Sequence, residues 1–112
     1  VGAGAVAFRE ELSEVVRRLG AAGVVPILST VPDSTGLGAA HSARVNEYNQ
    51  VIADVAADFR VPLLNTWRAL AGLPTRGLSR DGLHLSASPR PGGVTADDLR
   101  FGQNVRNLLA LQ

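Results

Sequence analysis

The 112-residue sequence contains no cysteine, which excludes a disulfide framework, a thiolate nucleophile and a zinc–thiolate site. Lysine is also absent, so arginine supplies all 11 basic residues, which nearly balance the 10 acidic ones. The net charge of +1 offers no electrostatic reason to expect binding to nucleic acid or to an anionic membrane surface. No apolar run approaches the roughly 18 residues that cross a bilayer, and no signal-peptide pattern is visible. A composition of 46% apolar and 19% charged residues is typical of one soluble globular domain.

Hydrophobic periodicity predicts an amphipathic helix and then a strand at the start of the chain. Over residues 6–22, apolar side chains recur at helical spacing and polar residues fill the other face. The apolar positions are Phe8, Leu12, Val15, Val16 and Leu19. Segment 24–28, VVPIL, is a short apolar run rich in β-branched residues. We expect a fully buried strand there, although Pro26 argues against a central position.

The same alternation then repeats. Loop-forming residues accumulate over 29–42, and a second helix with Ser42 as its N-cap is expected next. Its apolar face comprises Val45, Tyr48, Ile52, Val55 and Phe59. Residues 61–65, VPLLN, indicate a second short strand, and residues 66–73 indicate one or two helical turns.

The last third of the chain contains a long stretch without periodicity. Residues 72–94 hold five glycines and three prolines, and long irregular loops in compact domains are usually functional or disordered. Residues 95–98 then resemble a capping box that opens a third helix. The predicted apolar face of that helix comprises Phe101, Val105 and Leu108.

The order helix, strand, helix, strand, loop, helix is typical of a doubly wound α/β domain. Only two strands are visible, however, and two short parallel strands would leave open sheet edges and unburied apolar faces. We therefore expect residues 1–112 to form the C-terminal part of a single larger domain whose first strands lie upstream.

One segment of the irregular stretch, GLSRDGLHLS, carries an aspartate and a histidine three residues apart. Asp-Gly is a common turn dipeptide, so a surface turn explains the segment without any chemistry. In a tight turn, however, residues i and i+3 project to the same side. Asp81 can then bind one ring nitrogen of His84 and leave the other as a proton acceptor. Spacing alone leaves both interpretations open, because short D-x-x-H strings occur by chance.

Other candidate residues have simpler explanations. Four Asp and His residues could in principle form a site for a hard metal ion. Their spacing matches no known ligand pattern, so no metal is expected. Those residues are Asp33, His41, Asp81 and His84. Ser79 and Ser86 are weak candidates for a nucleophile, because groups so close in sequence rarely reach in-line geometry around one imidazole. His41 is expected to be a solvated residue ahead of the second helix rather than part of a binding loop.

Three further positions carry an expectation. Trp67 is predicted to belong to the core rather than to a substrate platform. Asn65, at the end of the second strand, receives no catalytic role. The polar residues of the last helix either bond the missing part of the domain or form a solvated face. They are Asn104, Arg106 and Asn107.

Several segments together resemble the SGNH, or GDSL-type, hydrolases. The segment GLSRDGLHLS resembles the last conserved block of that family, and VVPILSTVPD resembles its strand ending in a T-x-P-type loop. The segment ARVNEYNQVIADVAADFRVPLLNTWRAL resembles the next helix and strand, and LRFGQNVRNLLALQ resembles the closing helix. The family's G-D-S nucleophile block and its oxyanion-hole blocks do not occur in the chain, and by the family's order they would lie upstream.

The resemblance implies a three-layer α/β/α sandwich of flavodoxin-like SGNH type with a parallel sheet. It also implies ester hydrolysis through an acyl-enzyme, with Asp81 and His84 as the acid and base and with no cofactor or metal. The substrate would be a small-molecule ester, an acetylated carbohydrate or a lipid. A non-catalytic binding domain on the same fold is the alternative. Secretion is expected by analogy with similar bacterial esterases.

Overall fold

The computed structural model describes residues 2–112 and contains four α-helices and a two-stranded sheet within that range. The helices are α1 (Ala3–Ala21), α2 (Ala39–Phe59), α3 (Thr66–Ala71) and α4 (Gly102–Leu111), and the strands are β1 (Leu28–Ser29) and β2 (Leu63–Leu64). Short 3₁₀ segments cover Thr35–Leu37, Pro74–Gly77 and Asp98–Arg100. Within the described chain, no helix is long and apolar enough to cross a membrane.

The first two predicted helices are confirmed, and their apolar faces form the core. A buried cluster joins α1 to α2 and comprises Ala5, Val16, Val51 and Val55. Beside it, the rings of Phe8 and Tyr48 lie 4.9 Å apart between centroids. Across the exposed side of the same contact, Arg9 donates to the carboxylate of Asp54 at 2.8 Å. The amphipathic pattern therefore predicts most of the contact, but Val15 of the predicted α1 face is 52% exposed, and Ala5 and Val51 of the cluster lie outside the predicted faces.

The two strands pair in parallel, with Leu28 opposite Leu63 and Ser29 opposite Leu64. A parallel strand pair among helices is compatible with the predicted α/β class. The expectation of a fully buried strand over residues 24–28 is wrong for this chain, because Val25 and Ile27 are 71% and 62% exposed. Pro26 has no N–H to donate to a ladder, and β2 covers only the end of the segment.

The helix boundaries differ from the sequence-based ones at two places. Helix α2 begins at Ala39, and Gly38 is its N-cap residue, so Ser42 lies inside the helix and is not the N-cap. The Ser42 hydroxyl instead donates to the Asp33 carboxylate at 2.7 Å. The predicted capping box does form, since the Thr95 amide donates to the Asp98 carboxylate at 3.1 Å and the Asp98 amide donates to the Thr95 hydroxyl at 3.3 Å. It opens a 3₁₀ turn rather than a long helix, and α4 starts later, at Gly102.

The polar face of α4 holds the irregular loop in place. Asn104 is 2% exposed, accepts a hydrogen bond from the Gly92 amide at 3.0 Å and donates to the carbonyl groups of Arg90 and Asp98. Arg90 also pairs with the buried Asp98 carboxylate at 2.9 Å. Asn104 therefore bonds this chain's own loop, and a solvated position for it is wrong.

The described chain is flat. Its principal extents are 41, 34 and 16 Å, and its radius of gyration is 15.2 Å. A compact domain of this length has a radius of gyration of about 13 Å. Helices α1 and α2 pack against each other, as do α3 and α4, around a sheet of two short strands.

Candidate active site

Residues 77–86 form a tight hairpin, called here the Asp-His hairpin. Its arms meet in an antiparallel bridge between Leu78 and Leu85, and the Ser79 amide donates to the carbonyl oxygen of His84 at 2.8 Å. Gly82 lies at the tip with a φ of 65°, a left-handed conformation that glycine adopts without steric cost. The Asp-Gly turn that the sequence indicates is therefore present, and it brings Asp81 and His84 to the same side.

The side chains of this pair are joined by a short hydrogen bond. Asp81 Oδ2 lies 2.6 Å from His84 Nδ1. The other carboxylate oxygen, Oδ1, accepts from the Ser79 hydroxyl at 2.6 Å and from the amides of Leu83 and His84 at 2.9 and 3.0 Å. Three donors on Oδ1 leave Oδ2 directed at the imidazole, so the carboxylate is held in one orientation.

These contacts also determine the charge of Asp81. The hydrogen bond from His84 holds the pKa of Asp81 well below its usual range, with further lowering from Ser79 and the two backbone amides. Asp81 is therefore ionised at neutral pH and can only accept hydrogen bonds. Nδ1 of His84 must carry the shared proton, and Nε2 of a neutral imidazole is left as an acceptor. The side chains of Asp81 and His84 are 49% and 78% exposed, so Nε2 is accessible.

The hairpin lies next to the loop that leaves the carboxyl end of β1. The Gly36 amide donates to the carbonyl oxygen of Gly82 at 2.9 Å. A side chain at Gly36 would overlap the carbonyl group of Asp81, so only glycine permits this approach. The carboxyl ends of parallel strands are the usual location of ligand sites in open α/β sheets.

A buried carboxylate makes a second connection between the same two loops. Asp33 accepts from Ser42 at 2.7 Å and pairs with Arg76 at 2.5 Å. Burial raises the pKa of Asp33, but hydrogen bonds from Ser42, Ser34 and Arg76 outweigh it and lower the pKa overall. Arg76 precedes the hairpin directly, so this ion pair ties the hairpin to the β1–α2 loop.

The remaining sequence candidates on α3 and α4 lie outside the Asp-His hairpin. Asn65 caps α3, because its side-chain oxygen accepts from the Arg68 amide at 3.0 Å. Trp67 is partly buried beside Thr30 and Asn65, where it lines an open cavity, and its buried indole N–H has no partner among the described residues, so its assignment to the core stays a prediction. Arg106 and Asn107 are exposed on α4, which is consistent with both interpretations given for them.

His41 lies within α2, and the four residues of the hypothetical metal site do not form one cluster among the described residues. His41 lies in the first turns of α2, beside Val31 and Tyr48, where it lines an open cavity of about 440 Å³. In residues 2–112, no three His, Cys, Asp or Glu side chains come together as metal ligands.

Neither serine of the Asp-His hairpin faces the imidazole. The Ser79 hydroxyl donates to Asp81, and the Ser86 hydroxyl donates to the Gly77 carbonyl at 3.2 Å while accepting from the Gly102 amide at 2.9 Å. The contact between Ser79 and Asp81 was not anticipated. A serine two residues ahead of an aspartate in a turn is the signal that could have indicated it, because such hydroxyls commonly bond nearby side chains and backbone.

Comparison with known proteins adds one finding. The model of the GDSL-like lipase/acylhydrolase family matches residues 1–88, which include the Asp-His hairpin and end before α4. No curated protein and no solved structure matches the chain significantly. Because the match covers more than three quarters of the sequence, this chain belongs to the GDSL-like lipase/acylhydrolase family.

Proposed function

We propose that this chain is the C-terminal part of an SGNH-type serine ester hydrolase domain in which His84 is the general base and Asp81 orients it. The observation that carries the proposal is the 2.6 Å hydrogen bond between Asp81 Oδ2 and His84 Nδ1, made by a carboxylate whose other oxygen is saturated. This is the arrangement by which a carboxylate sets the tautomer of a catalytic histidine. Family membership supports the assignment of hydrolase chemistry.

The proposed reaction has two halves. A serine hydroxyl attacks the ester carbonyl carbon while its proton passes to His84 Nε2, and the tetrahedral intermediate collapses as His84 returns that proton to the leaving alcohol. Water then attacks the acyl-enzyme by the same route, releasing the carboxylic acid and restoring the serine. Asp81 stays ionised throughout and stabilises the imidazolium.

The nucleophile and the oxyanion hole are proposed to come from sequence upstream of this chain. Ser79 and Ser86, the two hairpin serines, are engaged elsewhere, with Asp81 and with backbone groups respectively. The family's order of motifs places the nucleophile block before the D-x-x-H block. The chain as given is therefore expected to be inactive by itself.

A three-layer α/β/α sandwich with a longer parallel sheet is proposed for the complete domain. The flat shape of the chain, 16 Å in its thinnest direction, supports this proposal, as do the exposed apolar side chains ahead of β1. These side chains are Val24, Val25 and Ile27. Further strands and helices would cover them, since sheets of this class are buried on both faces.

The test uses the full-length protein that contains this chain. Hydrolysis of p-nitrophenyl acetate is measured for the wild type and for His84→Ala, and His41→Ala is the matched control because His41 is the other histidine of the chain. Loss of His84 is expected to reduce kcat by a factor of about 10³ or more, whereas the His41 variant should retain its rate. A wild-type protein without esterase activity, or an active His84→Ala variant, would overturn the proposal.

A further inference from the structure

We infer that Ser79 is a positioning residue for catalysis, because its hydroxyl holds the Asp81 carboxylate in the rotamer that serves His84. The inference rests on the proposed function, since it assigns Ser79 a task within the same site. Ser79 touches neither the imidazole ring nor, in the proposed reaction, the substrate. It would act only through Asp81.

The geometry of Asp81 provides the first argument. Ser79 Oγ lies 2.6 Å from Asp81 Oδ1, within the range of about 2.5–2.7 Å that is typical of a hydroxyl donating to a carboxylate. The amides of Leu83 and His84 donate to the same oxygen at 2.9 and 3.0 Å. Because the carboxylate is ionised, the Ser79 hydroxyl must be the donor. Hydrogen bonds to an ionised acceptor are about twice as strong as those between neutral groups. Among the described residues Ser79 is the one side chain that donates to Oδ1, and its bond opposes rotation about the Cβ–Cγ bond of Asp81.

The position of Ser79 in the hairpin provides the second argument. Its amide donates to the carbonyl oxygen of His84 at 2.8 Å, and its own carbonyl oxygen accepts from the Gly82 amide at 3.0 Å. One residue thus binds the backbone of His84, the backbone at the tip and the carboxylate between them. Any movement of Asp81 away from His84 must break the contact with Ser79.

The origin of the donors provides the third argument. Within the described residues, every hydrogen bond to the Asp81 carboxylate comes from the hairpin itself, and Ser79 and His84 are the two side chains that donate to it. In Ser-His-Asp enzymes the aspartate holds the imidazole in the correct tautomer and orientation. Here the Ser79 hydroxyl is the side-chain donor that fixes the carboxylate from the side opposite the His84 imidazole.

The experiment measures kcat and KM of the full-length protein with p-nitrophenyl acetate for Ser79→Ala and Ser79→Thr. A fall in kcat of about tenfold with KM unchanged is expected for Ser79→Ala, since loss of an interaction used in the transition state appears in kcat. Ser79→Thr retains the hydroxyl and should restore most of the rate. If Ser79→Ala does not fold, Ser79→Cys replaces it, because a thiol is only a weak donor.

Ser86→Ala is the matched structural control. Its hydroxyl belongs to the same hairpin but bonds Gly77 and Gly102. We expect this variant to lower the melting temperature and to leave kcat unchanged at temperatures well below melting. If Ser79 had only a structural role, Ser79→Ala would likewise lower the melting temperature and leave kcat unchanged.

A spectroscopic readout separates this inference from the proposed function. The ¹⁵N shifts of the His84 ring nitrogens, recorded where the imidazole is neutral, report which nitrogen is protonated. The wild type should show the Nδ1–H tautomer, and Ser79→Ala should shift the population toward Nε2–H. Unchanged kcat and unchanged ring shifts in Ser79→Ala would overturn the inference even where His84→Ala is inactive. If the wild type lacks esterase activity, the proposed function fails while the ring shifts still decide whether Ser79 positions Asp81.

Discussion

The amide of Gly36 donates a hydrogen bond to the carbonyl oxygen of Gly82 at 2.9 Å, so the loop after β1 and the tip of the Asp-His hairpin touch through their backbones. Gly82 adopts a left-handed conformation, and neither residue has room for a side chain toward the other. Since Asp81 immediately precedes Gly82, the orientation of the proposed catalytic pair depends on this contact as well as on the hairpin itself.

Substitution of Gly36 should therefore disturb the site. In Gly36→Ala the new methyl group would overlap the carbonyl group of Asp81, so either loop must move. Overpacking of this kind costs about 1–3 kcal/mol of unfolding free energy, and we expect kcat on p-nitrophenyl acetate to fall as well. Both are measured on the full-length protein, by urea denaturation and by steady-state kinetics.

Gly20 in α1 offers the matched control, because nothing lies within 4 Å of a side chain added there. Gly20→Ala should stabilise the protein by about 0.5–1 kcal/mol through helix propensity alone and leave kcat unchanged. Equal stability of the Gly36→Ala variant and the wild type would show that the two loops are not in contact.

Asp81→Asn should inactivate the full-length protein without unfolding it. The carboxamide can donate its N–H to Nδ1 and so favour the wrong imidazole tautomer. In serine hydrolases this substitution lowers kcat by about 10⁴-fold, and we expect a loss of about 10³–10⁴-fold here. Asp97→Asn, at an exposed aspartate of the following loop, should retain the wild-type rate. Activity of Asp81→Asn within tenfold of the wild type would remove Asp81 from the mechanism.

Acid should destabilise the hairpin and the loop that follows it. Hydrogen bonds from His84 and from Thr95 lower the pKa values of Asp81 and Asp98, respectively, below the usual aspartate value. A carboxyl group whose pKa is lower in the folded state contributes stability that is complete above the unfolded value of about 3.9 and is lost as pH falls below it. Carboxyl ¹³C titration should give midpoints below 3.9 for both residues, and normal midpoints would contradict the observed bonding.

Asn104 should contribute more to stability than any exposed polar residue of α4. Asn104→Ala leaves the Gly92 amide without its side-chain acceptor and removes one donor each from the carbonyl groups of Arg90 and Asp98, which keep the backbone amides of Gly93 and Phe101. Loss of a buried hydrogen-bond partner costs about 1–3 kcal/mol. We expect the unfolding free energy of the full-length protein to fall by about 2 kcal/mol or more. Asn107→Ala, three residues along the same helix and exposed, should change it by less than about 0.5 kcal/mol. Similar values for the two variants would refute the proposed anchoring role.

The sequence alone predicted the parts of this fold that depend on local physics. Periodicity identifies α1 and α2 and most of the faces that meet, because an apolar stripe has to be buried somewhere. It failed at the segment 24–28, since burial of a strand depends on neighbouring strands that hydropathy cannot locate. Sequence patterns also placed the start of α4 too early. The capping box at residues 95–98 suggests that the helix continues from there, but the backbone is extended at Phe101 and α4 begins only after it.

The candidate site divides in the same way. The types and spacing of Asp81 and His84 are properties of the sequence. Their pairing could be predicted from local geometry, because residues i and i+3 of a tight turn project to the same side. Only the tertiary structure decided the surroundings: Gly36 against Gly82, Asp33 against Arg76 at 43 positions' separation, and Asn104 against its loop. Such contacts are set by how distant segments pack, and packing depends on the whole chain rather than on the residues within one turn.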